Sequence, residues 1–80
     1  MKNRDMKQVR YTVVIEKGKD GYGAFVPDLP GCVAVGDTAE EVADLIREAI
    51  QFHIEGLQRD GEPVPPAVAR SIEIQTEIAA

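Results

Sequence analysis

The sequence predicts an α+β fold in the order β-β-β-α-β: a three-stranded antiparallel sheet, one long helix packed on one face, and a fourth C-terminal strand. Three observations predict it. Apolar side chains alternate with polar ones from Val9 to Glu16, glycines and prolines punctuate the chain as far as Gly36, and a helical stripe of apolar residues follows Thr38.

In the first strand Val9, Tyr11, Val13 and Ile15 alternate with Arg10, Thr12, Val14 and Glu16, the two-residue period of a half-buried strand. The run Lys17-Gly18-Lys19-Asp20-Gly21 concentrates turn formers, so residues 22–26 should pair back antiparallel. With Lys17 opposite Tyr22, Ile15 falls opposite Ala24 and Val13 opposite Val26 on one side of the sheet, and Val14 opposite Phe25 on the other. Both sides then carry apolar residues. Pro27 has no amide hydrogen and ends the pairing, and Pro27-Asp28-Leu29-Pro30-Gly31 reads as a rigid loop. Residues 32–35, ended by Gly36, form a third strand of small and β-branched residues.

Thr38-x-x-Glu41 is a capping box, with the hydroxyl bonding an orphan amide and the carboxylate returning a bond to the cap residue. At 100° per residue Val42, Leu45, Ile46, Ala49, Ile50, His53 and Leu57 share one stripe, with Phe52 and Ile54 at its margins. Glu40, Asp44, Arg47, Glu48, Gln51, Glu55 and Gln58 fall mainly opposite, and Gly61 followed by Pro63 stops the helix. Residues 62–67 make a stiff, proline-punctuated connector. Ile72 and Ile74 then alternate with Ser71, Glu73 and Gln75, which predicts the fourth strand, joined to the first by a right-handed parallel crossover.

Eighty residues allow one domain, over 9–76, with a frayed basic N-terminus at 1–8 and a short tail at 77–80. The net charge of −5 argues against independent binding to nucleic acid or a membrane and favours a cationic partner. Lys2, Arg4, Lys7 and Arg10 set the N-terminus apart, but without an interleaved aromatic residue they read as a solvated end and not as an RNA-touching arm. Cys32 is the single cysteine, so no disulfide forms within the chain, and with no membrane-spanning run or signal pattern a cytoplasmic location is expected.

The residues that could carry chemistry do not assemble into a catalytic pattern. His53, the one histidine, lies on the apolar stripe of the helix and reads as a packed or interfacial side chain rather than a base or metal ligand. Cys32 at a strand start reads as a small packed hydrophobe. Asp28 and Asp37 offer a conceivable magnesium pair, yet turn and capping roles account for both. No glycine-rich phosphate cradle, Cys-x-x-Cys motif or nucleophile elbow is present. The expectation is a protein with no catalytic residue, no metal and no cofactor.

The run from Tyr11 to Glu16 and then Asp20-Gly21-Tyr22-Gly23-Ala24-Phe25-Val26-Pro27-Asp28-Leu29-Pro30-Gly31-Cys32 resembles the core signature of the HicB antitoxin family. The likeness continues through Gly36-Asp37-Thr38, Glu40-Glu41 and Ile46-Arg47-Glu48-Ala49-Ile50, and so covers roughly residues 9 to 75. Each piece is weak and the ordered set is specific. The resemblance implies a partial ribonuclease-H-like fold without nuclease activity, and the role of an inhibitor of a HicA toxin. That partner is a small basic protein that cleaves messenger RNA with a catalytic histidine. The C-terminal DNA-binding segment of many family members has no counterpart in the residues after Pro66, so direct operator binding is not expected.

Three classes of function stay open: an antitoxin, a self-associating regulatory module with another protein partner, and a small hydrolase. For toxin binding the candidate residues are Asp28 and Leu29 in the loop and Glu40, Asp44 and Glu48 on the helix, whose carboxylates can take the place of phosphates. For assembly into a homodimer or homotetramer they are Val14 and Phe25, on the side of the sheet that a single helix cannot cover.

Overall fold

The computed structural model describes residues 7–80, so most of the basic N-terminal stretch lies outside the described residues. Three strands and one helix follow in order: β1 (Val14–Lys17), β2 (Tyr22–Phe25), β3 (Val33–Gly36) and α1 (Ala39–Arg59). The sheet order is β1-β2-β3, with both pairs antiparallel. The hairpin register is the predicted one: Lys17 pairs with Tyr22, Ile15 with Ala24 and Val14 with Phe25. Gly21 is required where the hairpin returns, because a Cβ there would lie 2.6 Å from the carbonyl oxygen of Gly36.

The first strand is shorter than predicted, starting at Val14 instead of Val9. The expected Val13–Val26 pair lies outside the ladder, because the Val26 amide donates to the Cys32 carbonyl at 3.3 Å and closes the proline loop. Inside that loop the Leu29 amide donates to Val26 O and the Cys32 amide to Leu29 O, both at 3.0 Å. This double turn carries the Leu29 side chain into the core.

Thr38 caps α1 with extended backbone angles, and its Oγ1 accepts the Glu41 amide at 3.0 Å. The reciprocal bond is displaced by one residue from the prediction, since Glu41 Oε1 accepts from the Asp37 amide at 2.7 Å and not from the cap residue. At the other end the Gly61 amide donates to Gln58 O at 3.1 Å and the Glu62 amide to Leu57 O at 2.8 Å. With Gly61 at a φ of 72°, this is a Schellman ending in a left-handed conformation that favours glycine. The helix buries Val42 and Ile46 and lies chiefly over β3 and β2, with β1 at its margin. Together with Ala24, Val26, Leu29 and Cys32 they form the core.

The predicted fourth strand does not form within the chain. Residues 62–80 contain no strand or helix, and Ile72, Ile74 and Ile78 stand in solvent. With no fourth strand there is no parallel crossover; the connector is joined to the first segment by side chains. Tyr11 Oη donates to Pro65 O at 2.6 Å and Thr12 Oγ1 to Ala69 O at 2.9 Å. Beyond that join the chain leaves the body. The radius of gyration is 16.0 Å, against about 12 Å for a compact chain of this length, and the extents are 64 × 27 × 21 Å.

Candidate partner-binding surfaces

Asp28 is a clamp. Its Oδ2 accepts the amides of Val68 and Ala69, both at 2.8 Å, and so ties the proline loop to the C-terminal segment. Its charge also acts on Tyr11. Burial first, and the Asp28 carboxylate second, hold the phenol above its ordinary value of 10.0, which keeps it the protonated donor that Pro65 O requires. Leu29 has no exposed surface at all, so its predicted role as a partner contact is corrected to that of a core residue. Asp28 is likewise committed to the fold through its bonded oxygen. Neither assignment was visible locally, because the partners of Asp28 lie forty and forty-one positions downstream.

The three helix carboxylates stand where the periodicity puts them. Glu40, Asp44 and Glu48 are exposed and four residues apart, on the side of α1 away from the sheet. Asp44 Oδ1 also meets Arg47 at 2.9 Å in a pair whose side chains are both well exposed, an interaction of small energy that a stronger cationic partner can displace. Gln51 donates to Glu55 at 3.2 Å farther along the same surface.

The outer face of the sheet is open and, apart from Glu16 on β1, apolar. Val14 pairs with Phe25, and Phe25 with Val33, so the three form a row across the strands, with Val35 on the same face. Phe25 is 40% exposed and Val35 76%. The sequence reading picked out Val14 and Phe25 and missed Val33 and Val35. Their two-residue spacing is the signal in the sequence that puts both on one face of β3.

The remaining candidates offer no reaction centre. Cys32 is buried, and desolvation raises its thiol above the ordinary value, so it stays protonated and packed. His53 is half-buried on the helix. A concavity of about 550 Å³ opens at the hairpin tip beside Asp20, Asp37 and Glu41, and the Glu41 carboxylate is already bound by the Asp37 amide. Among the described residues no cluster of three or more His, Cys, Asp or Glu side chains is placed to hold a metal ion, and no helix is long and apolar enough to cross a membrane.

With this geometry in place, comparison with known proteins is specific. Residues 11–78 match the family described as "HicB_like antitoxin of bacterial toxin-antitoxin system". An uncharacterized 14.9 kDa protein of Haemophilus phage HP1, from the rep-hol intergenic region, is 51% identical over 55 residues, 69% of this chain and 41% of the phage protein. The chain therefore spans less than half the length of that relative. A UPF0150 protein of Thermoplasma acidophilum is 42% identical over 67 residues, 82% of this chain and 97% of its own. Among solved structures, a chain of a "HicA3 and HicB3 toxin-antitoxin complex" is 34% identical with a TM-score of 0.61, over 69% of this chain and 64% of that chain.

Proposed function

The chain belongs to the HicB-like antitoxin family, and from that premise we propose that it binds and neutralises a HicA-type, mRNA-cleaving toxin by covering the toxin's active surface. In its antitoxin role the family is non-catalytic. The likeness to a chain of a HicA3–HicB3 complex supports a HicA-like toxin as the partner. The observation that carries the reading further is the solvent-facing row of Glu40, Asp44 and Glu48 on a chain of net charge −5. A protein that grips RNA presents lysine and arginine to phosphates, and a carboxylate row of fixed spacing meets the same side chains. Leu29, fully buried, drops out of the contact set, while Asp28, half-buried with only Oδ2 bonded to the Val68 and Ala69 amides, stays in it. No nucleic acid is a direct partner in this reading, and the fold is read as partial ribonuclease-H-like.

The test is association kinetics with the cognate toxin. The Asp44→Lys, Glu48→Lys double variant should keep its helix content and slow association about tenfold or more, with the deficit shrinking as salt rises. An association rate insensitive to both the reversal and salt would remove the helix face from the interface. The row Val14, Phe25, Val33 and Val35 favours a second feature, self-association through the outer face of the sheet into a homodimer or homotetramer. A regulatory module that self-associates and serves another protein partner would share that feature and lack the toxin.

A further inference from the structure

Ile72, Ile74 and Ile78 are 78%, 77% and 87% exposed, the most solvated large apolar side chains of the described residues. In an extended chain they share one side, while Ser71, Glu73, Gln75 and Glu77 take the other. This is the pattern of a strand with one face meant for burial, and in this chain it is paired with no strand.

The complementary feature lies at the edge of the sheet. β1 is an outer strand, with one line of backbone amides and carbonyls not engaged by β2. Between β1 and α1 runs a mainly apolar groove of about 260 Å³, lined by Val13, Ile15, Ala43, Ile46 and Ile50 with Arg47 at its side. It arises because α1 leans over β3 and β2 and leaves β1 at its margin. An added strand beside β1 would set alternate side chains into this groove, and branched apolar side chains at two-residue spacing are what it fits.

We propose that residues 70–78 of one copy add as a fourth strand along β1 of a second copy, seating Ile72 and Ile74 in the groove between β1 and α1, with the exchange reciprocal. This goes beyond the toxin reading and uses a surface distinct from the Val14–Phe25 face. The root of the arm points to a second copy as the occupant. Asp28 takes the Val68 and Ala69 amides and Thr12 takes the Ala69 carbonyl, so the backbone from which a ladder on the chain's own β1 would propagate is already committed. Past that anchor residues 70–80 are exposed along their whole length, and the described chain is elongated, 64 × 27 × 21 Å. An anchored root with a projecting, one-sided arm reaches a neighbour. The arm and the groove are carried by every copy, so a two-fold exchange satisfies both at once.

Paired cysteines in the full chain test this. Ile15→Cys and Ile74→Cys are made in separate proteins, one lengthened by a tag, and the two are mixed and oxidised mildly. The expected product is a disulfide between positions 15 and 74 joining chains of different length, located by peptide mass. With both substitutions in one chain, a link between those positions within a monomer would overturn the exchange, and so would the absence of any such link in either experiment. A second variant keeps the test independent of cysteine chemistry. Ile74→Asp should lower the mass measured by light scattering, with helical circular dichroism unchanged. A fall with Phe25→Asp but none with Ile74→Asp would overturn the arm exchange and leave the outer-face contact standing. No toxin enters these assays, so their outcome is separate from that of the antitoxin reading.

Discussion

One oxygen of Asp28 holds two amides that are far away in sequence, and this contact fixes where the C-terminal segment leaves the body. Asp28→Asn keeps a neutral acceptor and should cost about 1 kcal/mol, while Asp28→Ala removes both bonds and should cost about 2 kcal/mol, read from urea unfolding. A local reading assigns an aspartate after proline to a turn or to a partner because only near neighbours are in view, and the same limit hid the burial of Leu29. Tyr11 supplies a pH dependence from the same cluster. Its folded value is raised, by burial first and by the Asp28 charge second, so the neutral phenol is the form that the fold prefers. Its contribution is fully present below the ordinary value of 10.0 and is lost as pH rises through the folded value, since the unfolded chain ionises first. The urea midpoint should therefore fall on going from about pH 8 to about pH 11, and fall less in Tyr11→Phe, which has no phenol to ionise. Equal falls in the two proteins would remove Tyr11 from the alkaline transition.

At the scale of elements, legibility followed locality. The helix was read almost to the residue because its signals are its own: a hydroxyl three positions before a glutamate, an apolar stripe, and a glycine after the last turn. Thr38→Ala should cost about 1 kcal/mol by leaving the Glu41 amide without its side-chain acceptor. Gly61→Ala should cost a similar amount, about 1 kcal/mol, because its φ of 72° strains a Cβ-bearing residue. Thermal unfolding followed at the helix signal checks both, and an unchanged midpoint in either would show that end of α1 to be held by packing alone. Strands were read less well, since a strand exists only where a partner chain lies beside it. Residues 9–13 have the alternation but face side-chain hydrogen bonds to the C-terminal segment, and residues 71–75 have it but face solvent. Alternation reports which faces a segment has, and pairing is decided elsewhere in the molecule.

For the whole molecule the decisive fact is that one helix covers one side of a three-stranded sheet. Among the described residues the core numbers six buried ones, a small store of stability for an 80-residue chain. The hairpin register, read correctly from Lys17 opposite Tyr22, already implied that Val14 and Phe25 would lie together on the uncovered side. The structure adds Val33 and Val35 to make that side continuous, which the sequence reading could not reach without the β2–β3 register. A face of this kind gains from a partner in proportion to the apolar area it removes from water, and self-association then couples folding to concentration. The urea midpoint should rise as protein concentration rises. Phe25→Asp puts a charge at the middle of the row, where desolvating it opposes contact, while its position outside the core leaves the helix and hairpin in place. The variant should therefore show a lower mass by light scattering at tens of micromolar and a midpoint that depends less on concentration, the arm contact through Ile74 remaining, with unaltered helical circular dichroism. If the unsubstituted chain is itself a monomer there, with a midpoint that does not change with concentration, neither the outer face nor the C-terminal arm joins copies of the free protein.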